Sequence, residues 1–164
     1  MVAGDQVRMK HLHYLLIFAI LLANVDAAQG QGGQARHLYN VPSNRIAIDG
    51  YDPVAYFTDH QAVEGKKAIA FTYDNVIYHF ANAEHLQAFR ADPQKYLPQY
   101  GGWCAYAMGA TGEKVNVDPE TFKIVDGKLY LFYNRFFNNT KTTWDKDEDN
   151  LKRRADMNWQ KLTN

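Results

Sequence analysis

Cys104 is the only cysteine in the chain, and it stands in Tyr100-Gly-Gly-Trp-Cys-Ala-Tyr106 between two glycines and two large aromatics. A lone thiol cannot close an internal disulfide, so it is buried and inert, paired with another molecule, or kept for its chemistry. Two chemistries are open to it. In the first, Cys104, His85, His79 and Met108 surround one soft metal ion: thiolate and thioether suit Cu(I), and imidazole accepts copper or zinc. No Cys-X-X-Cys or His-X-X-X-His pair strengthens that set, and Cys104 and Met108 share a face only if the segment between them is helical. In the second, Cys104 acts as a redox thiolate, its acidity raised by His85 or by a helix start. The chain has no resolving cysteine, so any such cycle needs an external thiol. A third reading is bland: Cys104 as a small buried hydrophobe in a non-catalytic binding or structural module.

The carboxylates add no rival chemistry. Asp49, Asp52 and Asp118 lie beside Gly or Pro, where turn and capping duties account for them, and no nucleophile elbow, phosphate loop or Ser/His/Asp arrangement is legible. Nothing in the sequence calls for an enzyme. Asn138-Asn139-Thr140 is an acceptor pattern for N-linked sugar on Asn138 in a eukaryotic secretory pathway.

Residues 1–27 read as a cleaved signal peptide. Arg8, Lys10, His11 and His13 precede the apolar run Tyr14 to Val25, which is too short to span a bilayer and is followed by Val25-Asp26-Ala27. The product is then secreted, extracellular or periplasmic, with no stable membrane anchor after cleavage. Residues 28–44 read as a flexible leader, and 45–164 as one domain long enough to bury its own core. Lys+Arg and Asp+Glu both number 18, which leaves no net field to draw nucleic acid or an acidic membrane surface. The eleven tyrosines suit the rim of a small core or a binding surface.

The elements that must position these residues follow from local pattern. Asp52 and Pro53 open a short helix after a turn at Asp49-Gly50. Segments 68–73 and 76–80 flank Asp74-Asn75, and segments 121–125 and 128–133 flank Asp126-Gly127; both have the spacing of two-residue hairpins. Asn82 caps a helix over 83–91 that Asp92-Pro93 stops. Residues 141–162 form an amphipathic helix with Trp144, Leu151, Ala155, Trp159 and Leu162 on one face, supported by Glu148–Lys152 and Asp149–Arg153 pairs. The expected fold is α+β: a small single domain with two β-hairpins forming an antiparallel sheet, a short central helix and an amphipathic C-terminal helix. The two hairpins differ in spacing and context, so no internal repeat is expected.

The stretch Tyr78-His-Phe-Ala-Asn-Ala-Glu-His-Leu-Gln-Ala-Phe-Arg-Ala-Asp-Pro-Gln-Lys-Tyr96, with the upstream Gly50-Tyr-Asp-Pro-Val54, resembles the YHS domain. The continuation through Pro98-Gln-Tyr-Gly-Gly-Trp-Cys-Ala-Tyr106 to the Trp-rich tail looks like the exported subfamily of small YHS-domain proteins, which includes members with selenocysteine. The resemblance covers about Ile46 to Leu162. It implies a small α+β fold, often fused to copper and heavy-metal transporters, in which cysteines bind metal. This chain departs from that pattern: Ala55, Ala81 and His85 stand where the cysteines are expected. One imidazole at a ligand-equivalent position survives, with the thiol of Cys104 further on.

Overall fold

In the computed structural model the residues that can be described are 38–164; the expected signal peptide and most of the leader lie outside them. Within the stretch read as leader, Leu38 to Val41 is bonded to the domain. Asn40 donates its backbone N–H to Gly101 O (2.8 Å) and its side-chain amide to Gly102 O (3.1 Å), and Trp103 Nε1 donates to Leu38 O (2.7 Å).

The order of elements is a short helix α1 (Ala55–Thr58), strands β1 (Lys66–Tyr73) and β2 (Val76–Phe80), helices α2 (Ala83–Ala91), α3 (Pro93–Tyr96) and α4 (Ala105–Ala110), and strands β3 (Asp118–Val125) and β4 (Lys128–Phe132). The two-residue strands β5 (Asn134–Arg135) and β6 (Asn138–Asn139) follow, then α5 (Thr140–Trp144) and α6 (Glu148–Thr163). The α+β class and the C-terminal helix are as expected. Both hairpins form around the turns expected, because Asp74, Asn75, Asp126 and Gly127 adopt the left-handed region at low cost (φ 49°, 61°, 52° and 70°). They do not join into one sheet: β1–β2, β3–β4 and β5–β6 are three separate two-stranded ladders.

The hairpins are copies of one another, which corrects the expectation of no repeat. Every equivalence falls 52 positions apart (46 and 98, 66 and 118, 80 and 132). Ile46 bridges Ile77 as Pro98 bridges Leu129, both parallel. Lys66 pairs with Phe80 and Ala70 with His79 across a bulge, as Asp118 pairs with Phe132 and Phe122 with Leu131. Asp52 N donates to Val63 O at 2.8 Å and Cys104 N to Val115 O at 2.9 Å. Left-handed turns recur at Ile48–Gly50 and Tyr100–Gly102. Few side chains are shared between the two halves, so a search for identity sees little. Gly50/Gly102, Asp74/Asp126, Tyr78/Tyr130 and Phe80/Phe132 share the offset and are the signal that could have found it.

Burial follows the alternation of strand side chains. Leu129 and Leu131 of β4 face one core cluster with Val54, Tyr56, Phe80 and Phe89, while Tyr130 and Phe132 face a second with Met108, Trp144 and Leu151. Helix α2 is capped as read, Asn82 Oδ1 accepting from His85 N at 2.8 Å, and its inward residues His85 and Phe89 are four apart. Phe89 packs against Tyr78 and Phe80, with ring centres 4.8 and 5.3 Å away.

The expected single helix over 141–162 is two helices broken at Asp145–Asp147. Lys123 of β3 clamps the break, donating to Asp145 (2.8 Å) and to Glu148, and its hydrogen bond holds the Asp145 carboxyl below the usual range. The anticipated four-apart pairs do not form: Lys152 reaches out of the helix to Asp126 (2.8 Å), and Arg153 bonds instead to Asn150, three residues back on the same helix (2.6 Å). Leu151 and Ala155 carry the buried face of α6, whereas Leu162 is exposed.

Candidate functional site

The 52-residue offset places Asp52 and Cys104 at equivalent positions, and both serve as buried acceptors for the residue that leaves the following hairpin. Asp52 Oδ2 accepts from Ala81 N at 2.7 Å; Cys104 Sγ accepts from Tyr133 N at 3.3 Å. In each copy a side chain from the next helix then reaches the same group. His85 Nδ1 lies 2.7 Å from Asp52 Oδ2, and Thr140 Oγ1 lies 3.5 Å from Cys104 Sγ.

Asp52 is fully buried, and its second oxygen accepts from Val54 N at 2.8 Å. The imidazole continues outward, His85 Nε2 lying 3.3 Å from Thr58 Oγ1 and 3.7 Å from Asp59 Oδ1. Asp52 is thus more than the cap its place beside Pro53 suggested. Helix α1 begins at Ala55 rather than at Pro53, and the Asp52 carboxylate ties the Asp-Pro turn, the end of β2 and α2 together. A position offset of 33 residues between the partners leaves no local trace of the pair.

The four residues read as metal ligands occupy different surroundings. Cys104 is fully buried in the first core cluster; Met108 is fully buried in the second, because Cys104 precedes α4 and only Met108 lies on its helical face. The imidazole of His79, buried on β2, makes no hydrogen bond to another described residue and lies against Gly50. His85 is bonded to Asp52. Among the described residues, no three or more His, Cys, Asp or Glu side chains converge in a group suited to a metal ion. Asn138 is exposed on β6, while the Thr140 hydroxyl of its acceptor pattern donates to Tyr133 O at 2.9 Å.

Burial makes an expected outcome for Cys104 plain. In native protein at neutral pH its thiol should react with an excess of alkylating reagent at a rate set by structural opening, at least a hundredfold slower than in the unfolded chain. Mass spectrometry of timed aliquots reads this directly. Rapid native labelling would restore a reactive thiol.

The sequence did not point to a cleft of about 230 Å³ onto which both left-handed turns open. Ile48 and Asp49 come from the first turn and Tyr100 and Gly101 from the second, with Tyr78, Gln99 and Trp159 completing the part that matters chemically. Ile48 at φ 49° and Tyr100 at φ 55° hold a conformation costly for a β-branched and an aromatic residue, of the kind that clusters at ligand sites. Gly101 has no substitute there: at φ 62°, a Cβ would stand 2.6 Å from Leu38 O.

Three polar groups of the lining, the Tyr78 hydroxyl, the Gln99 amide and the Asp49 carboxylate, have no hydrogen-bond partner among the described residues. Burial raises the Tyr78 phenol above its ordinary pKa, so it stays a hydroxyl, able both to donate and to accept. Tyr100 is already committed to Asp156 (2.9 Å). Among the described residues the lining contains Asp49 and no Lys, Arg, His or Cys, a composition that disfavours anions and soft metals alike.

No protein-family model matches the chain, and neither does any curated protein or solved structure. No helix among the described residues is long and apolar enough to cross a membrane.

Proposed function

We propose that this chain is an exported, non-catalytic binding module of the YHS type that takes one small hydroxyl-bearing ring, the size of a single sugar residue, in the cleft between its two repeats. The observation that carries the reading is the lining itself. The aromatic side chains of Tyr39, Tyr100 and Trp159 stand beside three hydrogen-bonding groups unpartnered among the described residues, with no cationic side chain in the described lining. Rings with apolar faces and polar edges bind by stacking on aromatics while their hydroxyls find directed donors and acceptors. The volume is below the roughly 300–1,000 Å³ of sites for drug-sized molecules, which limits the guest to one ring.

The softness of thiol and thioether ligands suggested a metal ion held by Cys104 with His85, His79 and Met108, and the selenocysteine members of the look-alike subfamily encouraged a thiol redox reading. The surroundings of Cys104 favour neither as strongly: its sulfur accepts from Tyr133 N and contacts Thr140 inside the core. Its role is that of an acceptor within the fold, the counterpart of Asp52.

Titration of the protein with a panel of neutral monosaccharides, followed by tryptophan fluorescence and calorimetry, tests the proposal. At least one should bind, and simple anions of similar size should not. Tyr78→Phe removes one hydroxyl from the lining and leaves the packing of Phe89 intact, so affinity should fall about three- to tenfold with unfolding unchanged, the range for one neutral hydrogen bond. Tighter binding of an anion than of any neutral ring would overturn the assignment.

A further inference from the structure

The most exposed apolar groups on the described surface are Phe136 and Phe137, at 89% and 111% of full exposure, side by side at the tip of the β5–β6 hairpin. Both sit in the left-handed region, at φ 52° and 64°. The other two hairpins turn on Asp74-Asn75 and Asp126-Gly127, residues that accept this conformation readily. Two phenylalanines here are strained as well as solvated, so neither the turn nor the core selects them.

The first repeat has no counterpart of this hairpin. In the first copy the chain passes from Phe80 at the end of β2 through Ala81 to the cap Asn82 and into α2. In the second it passes from Phe132 through Tyr133, makes the β5–β6 excursion, and reaches the cap Asn139, whose side chain accepts from Lys141 N, before α5. The excursion adds a finger where the first copy has a direct connection.

We infer that the Phe136–Phe137 finger is a lipid-docking element that inserts its two rings into the interface of a bilayer. Area argues against a protein partner. Two rings offer roughly 300–500 Å², well short of the ~800 Å² that each side of a stable protein interface contributes. No further large exposed apolar side chain of the described residues belongs to the hairpin: its other residues are Asn134, Arg135, Asn138 and Asn139, and the remaining large exposed apolar side chains, Met157 and Leu162, belong to α6. A bilayer needs no shape match and accepts a small tip. The hairpin carries Arg135 and no acidic residue, so headgroup phosphates meet a cation and amides at the depth where the rings end. The chain's formal net charge of zero supplies no long-range attraction, so the contact rests on ring insertion and is weak, reversible and little affected by salt.

The test compares the exported form of the protein, residues 28–164, with its Phe136→Ser/Phe137→Ser double variant for co-sedimentation with phosphatidylcholine vesicles, with and without added phosphatidylserine. The double variant should bind at least tenfold more weakly, and 0.5 M salt should change wild-type binding less than threefold. An environment-sensitive fluorophore on Phe137→Cys should shift to the blue when vesicles are added, a readout confined to the tip because Cys104 is buried. Equal binding of the two proteins, or a fluorophore that does not respond, overturns the inference. So does concentration-dependent self-association of the wild type that the double variant loses, which would assign the finger to a second copy of the chain.

Discussion

Asp52→Ala should remove about 3–5 kcal/mol of folding stability, the cost of leaving buried partners of a carboxylate unmatched. Ordinary domains hold only about 5–15 kcal/mol, so urea unfolding of this variant should begin at or near zero denaturant. The reason lies in what the carboxylate holds. It is fully buried and accepts from Val54 N and Ala81 N while facing His85 Nδ1, three bonds that reach the first turn, the end of β2 and α2. Alanine orphans two backbone N–H groups and an imidazole at once. His85→Ala should cost less, since the two backbone bonds remain, and the double variant should cost less than the sum, because the pair is one network. A loss under 1 kcal/mol for Asp52→Ala would show that solvent satisfies these groups and that the network is dispensable.

Gly65→Ala should be nearly as damaging, at about 3 kcal/mol, through overpacking rather than a lost bond. A Cβ at Gly65 would stand 2.4 Å from the backbone carbon of His79 and 2.5 Å from its Cβ, and no rotamer relieves a clash with backbone. The arm holding Gly65 must lift off β2, which strains its hydrogen bond to Gly50 O (2.9 Å) and disturbs the turn at Ile48–Gly50 that lines the cleft. The variant should therefore lose stability and saccharide affinity together, whereas Tyr78→Phe loses affinity alone. The equivalent positions in the second copy hold Val117 and Leu131, so the tight approach belongs to the first copy. A well-folded Gly65→Ala protein with a normal unfolding midpoint would contradict the packing described.

The local elements were legible because their causes are local. Asp74-Asn75 and Asp126-Gly127 dictate their turns, Asn82 caps α2, and Pro93 ends it, each through residues within a few positions. The amphipathic tail was legible as helix and misplaced in its continuity, since the break at Asp145–Asp147 is stabilised by Lys123, some twenty residues upstream. Of the proposed ligands, each was a reasonable reading of residue type. Their separation is a matter of direction: Cys104 and Met108 lie on the same short segment and enter different cores.

The sequence by itself determined the two longer hairpins with their turns, the capped helix α2 and the helical character of the tail, and that one thiol stands alone, because dihedral preference, hydrophobic period and composition act over short range. Tertiary structure alone decided that the two hairpins repeat at a constant offset, that Asp52 and Cys104 are counterparts, that two strained turns share one cleft, and that Phe136 and Phe137 are left outside the core. Those outcomes depend on which distant backbone groups meet and which side chains find cover. Backbone hydrogen bonds that define the repeat carry no side-chain signature, and the apolar character of a phenylalanine reads the same whether it ends in a core or in water.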